Sequence, residues 1–566
     1  MLDCLLLIMP RVTPYGPTVG PPLLKAYLQQ NGFTAKVIDY NIRLYNDIAN
    51  THGKLAHQMW FVEDETFGDL LKYKPLYKNI LRPYIEQYVK ECVNLNAKWI
   101  GLSLLSQRSI YITSSIIEEI KKVNPNQKVV IGGAGAELYK QEFSAGHKSL
   151  IIPDQIILGD ADEAIVSLLK EEQMSEEYYY LSNLDNLPCP DYSDVTWNDY
   201  CTPRKLYITG SRGCVRRCTF CDVKYIWPKY KYRPGRQIAE EMIKLYIEHG
   251  KAINFNFDHS PTGGPSKNKP CYFEFTDSLI NGSLKAFKEL CVELKKVNLK
   301  LKEQNKKIIW GSQFICRSAK QMPEDVWAIM VDAGCKYISI GIESGSESVR
   351  DHMGKKFTNE DMYYTFDMAT KYGVIISFNI IVGYPTETEK DFNDTLTLLK
   401  VVSDINETIP NKRYRHNIGG LNWCNIIDNT DLQAPAMGKE LGIILNNDEG
   451  EYRGAGADNL GGWGLKDKGA AAAHVRGASM RGADAAIEGL PYNKIIRMRR
   501  LITTIKFIEG LTLNDRWVSH LARLPQLYEE YKKLTITQHD FLPLTNEDFI
   551  IPTSLPRPGN EGLKAR

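Results

Sequence analysis

A chain of 566 residues with 43% hydrophobic and 24% charged residues has the composition of an ordinary folded protein. At about 150 residues per domain, the length predicts three or four domains. A formal net charge of +2 excludes a global field that would draw the chain to nucleic acid or an anionic membrane.

The opening run Leu2–Met9 has no basic leader or small-residue cleavage site beside it and is too short to span a bilayer, so it reads as a buried strand. No later run offers about 18 uninterrupted apolar residues, and the expectation is a soluble, cytoplasmic protein with no membrane partner. Further strands are predicted at Thr34–Tyr40, Lys98–Leu104, Lys128–Gly132 and Gln155–Leu158, with helical patterns such as Pro21–Asn31 and Ser114–Val123 between them. Residues 1–171 therefore read as an α/β, doubly wound Rossmann-like domain, with any ligand at the carboxyl ends of its strands.

Residues 172–204 hold a tyrosine run and prolines at 188 and 190, and read as a linker. Strand–helix alternation resumes over 205–428. Strands are predicted at Leu206–Thr209, Ala252–Phe257, Lys307–Ile315, Tyr337–Ile342, Val374–Val382 and Ile418–Ile427. Six such units fit a partial (β/α)6 barrel, whose chemistry collects on the loops after the strands. Residues 429–566 read as a mostly helical substrate or lid region. It contains a Gly/Ala-rich stretch, Gly454–Gly489, and an amphipathic helix at Asn493–Glu509.

Of twelve cysteines, nine are scattered and read as small buried hydrophobes. The remaining three, Cys214, Cys218 and Cys221, lie at spacings of four and three in one short loop after a predicted strand. Three thiolates are enough to hold an iron–sulfur cubane while leaving one iron without a protein ligand, and Gly210 and Gly213 let the loop turn tightly around it. The rival is structural zinc, which requires four closed ligands. No second cysteine or histidine pair stands at a suitable spacing.

With Phe220 in the aromatic place, Cys214-x3-Cys218-x-Phe220-Cys221 opening a partial barrel resembles the radical S-adenosylmethionine (SAM) superfamily. Gly341-Ile342-Glu343-Ser344-Gly345, ending in His352-Met353-Gly354-Lys355, is similar to the fourth-strand motif of one branch. Ile381-Val382-Gly383-Tyr384-Pro385 is similar to its fifth-strand motif, and Met437-Gly438-Lys439-Glu440-Leu441-Gly442 to the helix after the barrel. The resemblance implies a [4Fe-4S] cluster on the three cysteines, SAM at its open iron, and a 5′-deoxyadenosyl radical that takes hydrogen from a substrate. It also implies an electron donor such as flavodoxin or ferredoxin. Phe220, Asp258, Arg317, Glu343, Ser344, Asn379 and Gly383 are the candidates to border SAM. Each also has a purely structural reading, as a surface ion pair or a buried strand amide.

The first domain carries Ser103-Leu104-Leu105 followed by Gly132-Gly133, which resembles the Ser-x-Leu…Gly-Gly pattern of cobalamin modules. Tyr15 and Gly16 after the first strand, and Gly159 to Glu163 after the fifth, resemble loops that edge the corrin. The cobalt-ligating Asp-x-His-x-x-Gly motif is absent, since Met9–Gly16 has no histidine. The alternative is a Rossmann-like domain whose Ser103 and glycines merely pack. The leading expectation is a cobalamin-dependent C-methyltransferase. The rivals are a radical cyclase or oxidoreductase without methyl transfer, and a non-catalytic cluster- or cobalamin-binding protein. Methylthiolation would usually require more cluster cysteines in the first domain, where only Cys4 and Cys92 lie. The sequence holds no code for the substrate.

Overall fold

The computed structural model describes residues 2–57, 59–60, 77–105, 107–144, 150–174, 177–201, 204–253, 271–303, 307–424, 430–432, 494–511, 524–525 and 527–529. Strands β1 (Leu2–Ile8), β2 (Ala35–Asp39), β3 (Ala97–Ser103), β4 (Lys128–Gly132) and β5 (Gln155–Ile156) form a parallel sheet in the order 2-1-3-4-5. Apolar residues on both faces of β1 explain its burial. Leu5 and Leu7 join the core beneath helices Arg82–Asn94 and Ile110–Val123, whereas Cys4, Leu6 and Ile8 join the core on the opposite face. The strand order reverses at β1, so the crevice between the loops after β1 and β3 is the topological switch point, where ligands of such sheets bind.

Short strands β6 (Leu158–Gly159) and β7 (Tyr178–Tyr179) pair in parallel. The connector expected to be irregular is thus partly ordered. It buries Leu181, Leu184, Leu187, Tyr192, Trp197 and Tyr200, because its aromatic residues find apolar partners against both domains.

The second sheet holds β8 (Arg204–Ile208), β11 (Cys271–Phe275), β12 (Trp310–Phe314), β13 (Cys335–Glu343), β14 (Ile375–Val382) and β15 (Asn417–Trp423). All are parallel and neighbour each other in chain order. The two intervening strands, β9 (Ser211–Arg212) and β10 (Lys231–Tyr232), form a small antiparallel ribbon at the mouth. One expectation fails. Ala252 and Ile253 end a helix, Gly235–Ile253, and the second barrel strand is Cys271–Phe275. Residues 254–257 of the expected strand lie outside the described residues.

The helices that close each unit follow local signals. Asn359–Tyr372 and Glu389–Thr408 both start in capping boxes, from Thr358 with Asp361 and from Thr388 with Asp391; the first ends at a left-handed Gly373. The C-terminal helix Lys494–Glu509 lies over the carboxyl ends of β14 and β15. There Arg497 donates to the Cys424 carbonyl at 2.6 Å, and Arg500 pairs with the buried Glu387. No helix among the described residues is long and apolar enough to cross a membrane. Asp258, His259, the Gly/Ala-rich stretch and the Met437–Gly442 motif lie outside the described residues.

Candidate functional site at the barrel mouth

The cysteine loop leaves β8 and is pinned from below. Asp277, which follows β11 and is 1% exposed, accepts from the Gly210 amide at 2.7 Å and the Ser211 hydroxyl at 2.7 Å. Burial pushes its carboxyl up to about 6, against the lowering effect of those donors. Gly210 has no room for a side chain, since a Cβ would stand 2.9 Å from Asp277. Gly213 adopts φ +83, where a Cβ would meet the Lys229 carbonyl at 2.8 Å.

The three thiols are free, with Cys218 buried and Cys214 and Cys221 half-buried. Burial is the largest cause of the upward shift in all three, Cys221 reaching about 12; the charge of Cys218 adds to the shift of Cys214, and those of Cys218 and Cys214 to that of Cys221. Iron must therefore displace protons when it binds. Among the described residues no three His, Cys, Asp or Glu side chains converge on a single metal position. A cubane, by contrast, puts each thiolate on a different iron and suits three sulfurs spread along one loop.

Each later strand motif of the barrel reaches this loop. After β13, the Thr219 amide donates to the Met353 carbonyl, and Gly354 (φ +78) lies 3.2 Å from the Arg217 carbonyl, measured from where its Cβ would stand. Lys355 is half-buried, bonded to Glu343 at 3.0 Å and 5.7 Å from the Phe220 ring centroid. Its ammonium lowers the Cys214 and Cys218 thiols. Glu343 stands at a register shift in the ladder with φ +71, a conformation that glycine favours and that costs an ordinary residue of order 1–3 kcal/mol. Its side chain folds back over Gly341, where a Cβ would be 2.2 Å from Oε1. After β14, the Tyr384 hydroxyl meets that of Thr219 at 2.8 Å.

The remaining SAM candidates divide. Arg317, after β12, holds the carbonyls of Asn281 and Gly282 at 2.9 and 3.0 Å, with its Nε buried and without a hydrogen-bond partner. Burial depresses it, helped by Arg216, and the Cys214 thiol is within its electrostatic reach. Asn379 faces Gly420 across β14 and β15. Gly383, at φ +70, donates to Glu387 at 2.6 Å and packs on Arg497. Ser344 is fully buried, engaged by Thr395 and by the Ser346 amide, and so shapes the turn after β13. Sequence reasoning missed Asp277, and it quoted Lys355 within a motif without assigning it a place at the site.

The first domain meets the mouth along the free edge of β8. The Lys205 amide donates to the Tyr15 carbonyl at 2.8 Å, and a Cβ on Gly16 would stand 2.1 Å from the Lys205 carbonyl. Arg212, next to Gly213, forms buried ion pairs with Asp160 at 2.9 Å and Asp162 at 2.7 Å. A small cleft lies at the switch point. It is lined by Val12, Thr13, Gly16, Thr18, Val19 and Leu105 with Tyr207 and Thr276 of the barrel. Thr18 Oγ1 is buried there without a hydrogen-bond partner among the described residues, which fits a ligand in this crevice.

The glycines of the cobalamin-like pattern have backbone duties of their own. Gly133 (φ +97) would clash with the Leu104 carbonyl at 2.3 Å and Gly159 (φ +82) with that of Tyr179 at 2.3 Å. Gly132 would meet nothing nearer than 3.9 Å. Ser103, at the end of β3, is half-buried, whereas Glu163 is exposed on helix Ala161–Leu169.

Residues 208–399 match the family model of the radical SAM superfamily. A tRNA-2-methylthio-N(6)-dimethylallyladenosine synthase of Christiangramia forsetii is 24% identical over 379 residues, covering 60% of this chain and 74% of that protein. The enzyme of the same name from Flavobacterium psychrophilum is 25% identical over 299 residues, covering 50% of this chain but only 57% of that protein. Among solved structures, the cobalamin-dependent S-adenosylmethionine radical enzyme OxsB with aqua-cobalamin bound superposes with a TM-score of 0.59. That match has 15% identity and covers 94% of this chain and 71% of OxsB. The radical S-adenosylmethionine methyltransferase TsrM from Kitasatospora setae, with cobalamin and a [4Fe-4S] cluster, gives a TM-score of 0.53 at 15% identity, over 80% of this chain and 82% of TsrM. Residues 208–399 are therefore a radical SAM domain, with the [4Fe-4S] cluster and SAM that this family implies, in a chain that has the fold of cobalamin-dependent radical SAM enzymes.

Proposed function

We propose that the chain is a cobalamin-dependent radical SAM methyltransferase acting on carbon. The observation that carries this reading is the placement of two candidate sites. The three-thiol loop at the barrel mouth and the switch-point cleft of the first sheet share a seam made by Tyr15, Gly16 and β8.

Cys214, Cys218 and Cys221 hold the cluster. When bound, it supplies the electron that cleaves SAM to a 5′-deoxyadenosyl radical, and cobalamin supplies a methyl carrier. Lys355 offsets the negative charge of three thiolates, and Glu343 keeps that ammonium in place. Arg317, Asn379 and Gly383 border the nucleotide, with Phe220 beside the sulfurs; Ser344 acts through the turn it caps. Ser103, Leu105, Gly132 and the Tyr15–Gly16 loop border the corrin, with Gly133, Gly159 and Glu163 setting the loops behind them. A small reductant such as flavodoxin or ferredoxin delivers the electron.

The curated relatives carry a methylthiolation name, which makes that reaction the second reading. It is disfavoured by the first domain's cysteines. Cys4 and Cys92 are both fully buried and lie in cores on opposite faces of the sheet, where they cannot share a second cluster.

The test is anaerobic purification with hydroxocobalamin, followed by turnover with methyl-labelled SAM and a reductant. Corrin retained through gel filtration and label passing from SAM to the corrin are the expected results. A protein that retains no corrin but still cleaves SAM would contradict methyl transfer while leaving the radical domain intact.

A further inference from the structure

The inner face of the partial barrel is unusually polar for a strand layer. On β8 and β11, Leu206, Ile208, Phe273 and Phe275 pack against the surrounding helices. Alternation turns Lys205, Tyr207, Tyr272 and Glu274 to the other face, inside the barrel. Glu274 is in register with Tyr207 and stands two residues before Thr276. Both of those neighbours line the switch-point cleft, so Glu274 lies next to its lining in the strand ladder.

An ion pair lies on this inner face, beside the cleft. Lys205 Nζ and Glu274 Oε2 are 3.4 Å apart, with side chains 9% and 13% exposed. Tyr337, from β13, donates to Glu274 Oε1. It gets there by crossing β12 at Gly311, where any Cβ would fall inside the tyrosine ring, at 1.9 Å. The other carboxylate oxygen, Oε2, is buried and has no hydrogen-bond partner among the described residues. Aromatic walls surround the pair: Lys205 Nζ is 5.8 Å from the Tyr15 ring centroid and 5.4 Å from that of Tyr272. Burial disfavours the ammonium, but Glu274 together with Tyr272 and Tyr207 outweighs it and keeps Lys205 protonated.

A buried carboxylate with an open acceptor position costs stability unless something completes it. A ligand ammonium placed there would meet Lys205, and a ligand carboxylate would meet Glu274. A neutral group that donates to Oε2 and accepts from the ammonium satisfies both.

We propose that Lys205 and Glu274 form the polar end of a substrate subsite for a neutral hydroxyl or carboxamide carried on an apolar or aromatic body. This rests on the reading that the substrate of the radical chemistry enters between the two domains. Tyr337 and Tyr272 fix the pair, and Tyr15 of the first domain closes it.

The test uses three probes that share a ring, namely benzyl alcohol, benzylamine and benzoate, titrated against the full chain by ligand-observed NMR. Wild type is expected to bind benzyl alcohol about tenfold more tightly than either charged probe. Glu274→Gln leaves the ammonium without its partner and is expected to turn the preference to benzoate. Lys205→Met is expected to turn it to benzylamine, which keeps the proposal testable if one variant fails to fold. Equal binding of all three probes, no binding of benzyl alcohol to wild type, or preferences that neither substitution moves would overturn the subsite. Wild type that shows the predicted preferences but forms no 5′-deoxyadenosine would support the subsite and contradict the proposed function alone.

Discussion

The cysteine loop and the glycine loops of the first domain were singled out by equally compact motifs, but the structure accounts for them differently. In the first domain, Gly16, Gly133 and Gly159 are each required by a neighbouring carbonyl 2.1–2.3 Å from where a Cβ would stand. Their presence is explained by backbone packing before any ligand is considered. In the barrel, the three thiols have no disulfide partner, and a strained Glu343 and a half-buried Lys355 are gathered beside them. Unspent side-chain chemistry points to a ligand more strongly than a glycine pattern does.

The comparison can be broken most severely at Cys218. Cys218→Ala should reduce bound iron and sulfide, measured after anaerobic reconstitution, to background. A variant that keeps its iron would show that the loop is not the ligand set. Next in size is the clamp between the regions. Arg212→Met leaves Asp160 and Asp162 buried without their partner and is expected to cost about 3–5 kcal/mol in urea unfolding.

A control lies just before β15, at the opposite edge of the second sheet from β8. His416 is fully buried, accepts from the Ile376 amide through Nδ1 at 3.1 Å and meets Thr370 through Nε2 at 2.8 Å. Burial lowers its pKa from 6.5 to about 4. The unfolded chain therefore takes up the proton first as pH falls, and stability is lost between about pH 6.5 and 4. The loss is roughly 3 kcal/mol. His416→Gln should lack this component of the acid-side slope in urea midpoints; an unchanged slope would place the titration elsewhere.

The smallest and sharpest contrast is between adjacent glycines. Gly133→Ala, at φ +97, should lose about 1–3 kcal/mol or more. Gly132→Ala should stay within about 0.5 kcal/mol, since its Cβ meets nothing nearer than 3.9 Å. If the corrin tail runs over Gly132, that stable variant should nonetheless retain less cobalamin. Undiminished retention would reduce the Gly132-Gly133 pair to packing alone.

Much of this was legible in the sequence. Lys128–Gly132 coincides with its predicted range and Lys494–Glu509 begins one residue after the predicted Asn493, because a short apolar run between polar flanks and an amphipathic pattern leave little choice. The second barrel strand was not legible, since a strand-like run stands at the end of a longer amphipathic helix and the true strand begins at Cys271. The cysteines announced themselves by spacing. Asp277, the Arg212 clamp and the Lys205–Glu274 pair did not, because each depends on residues brought together by register or by the docking of two domains. Their one local signal was charge within apolar strands, as at Lys205 before Leu206-Tyr207-Ile208 and Glu274 between two phenylalanines.

The most direct measurement is 5′-deoxyadenosine formation from SAM by the anaerobically reconstituted, chemically reduced chain, compared with Cys214→Ala, Cys218→Ala and Cys221→Ala. The account predicts product from wild type and none above background from any of the three variants. Product from a cysteine variant, or none from a wild type carrying its full iron and sulfide, would contradict it.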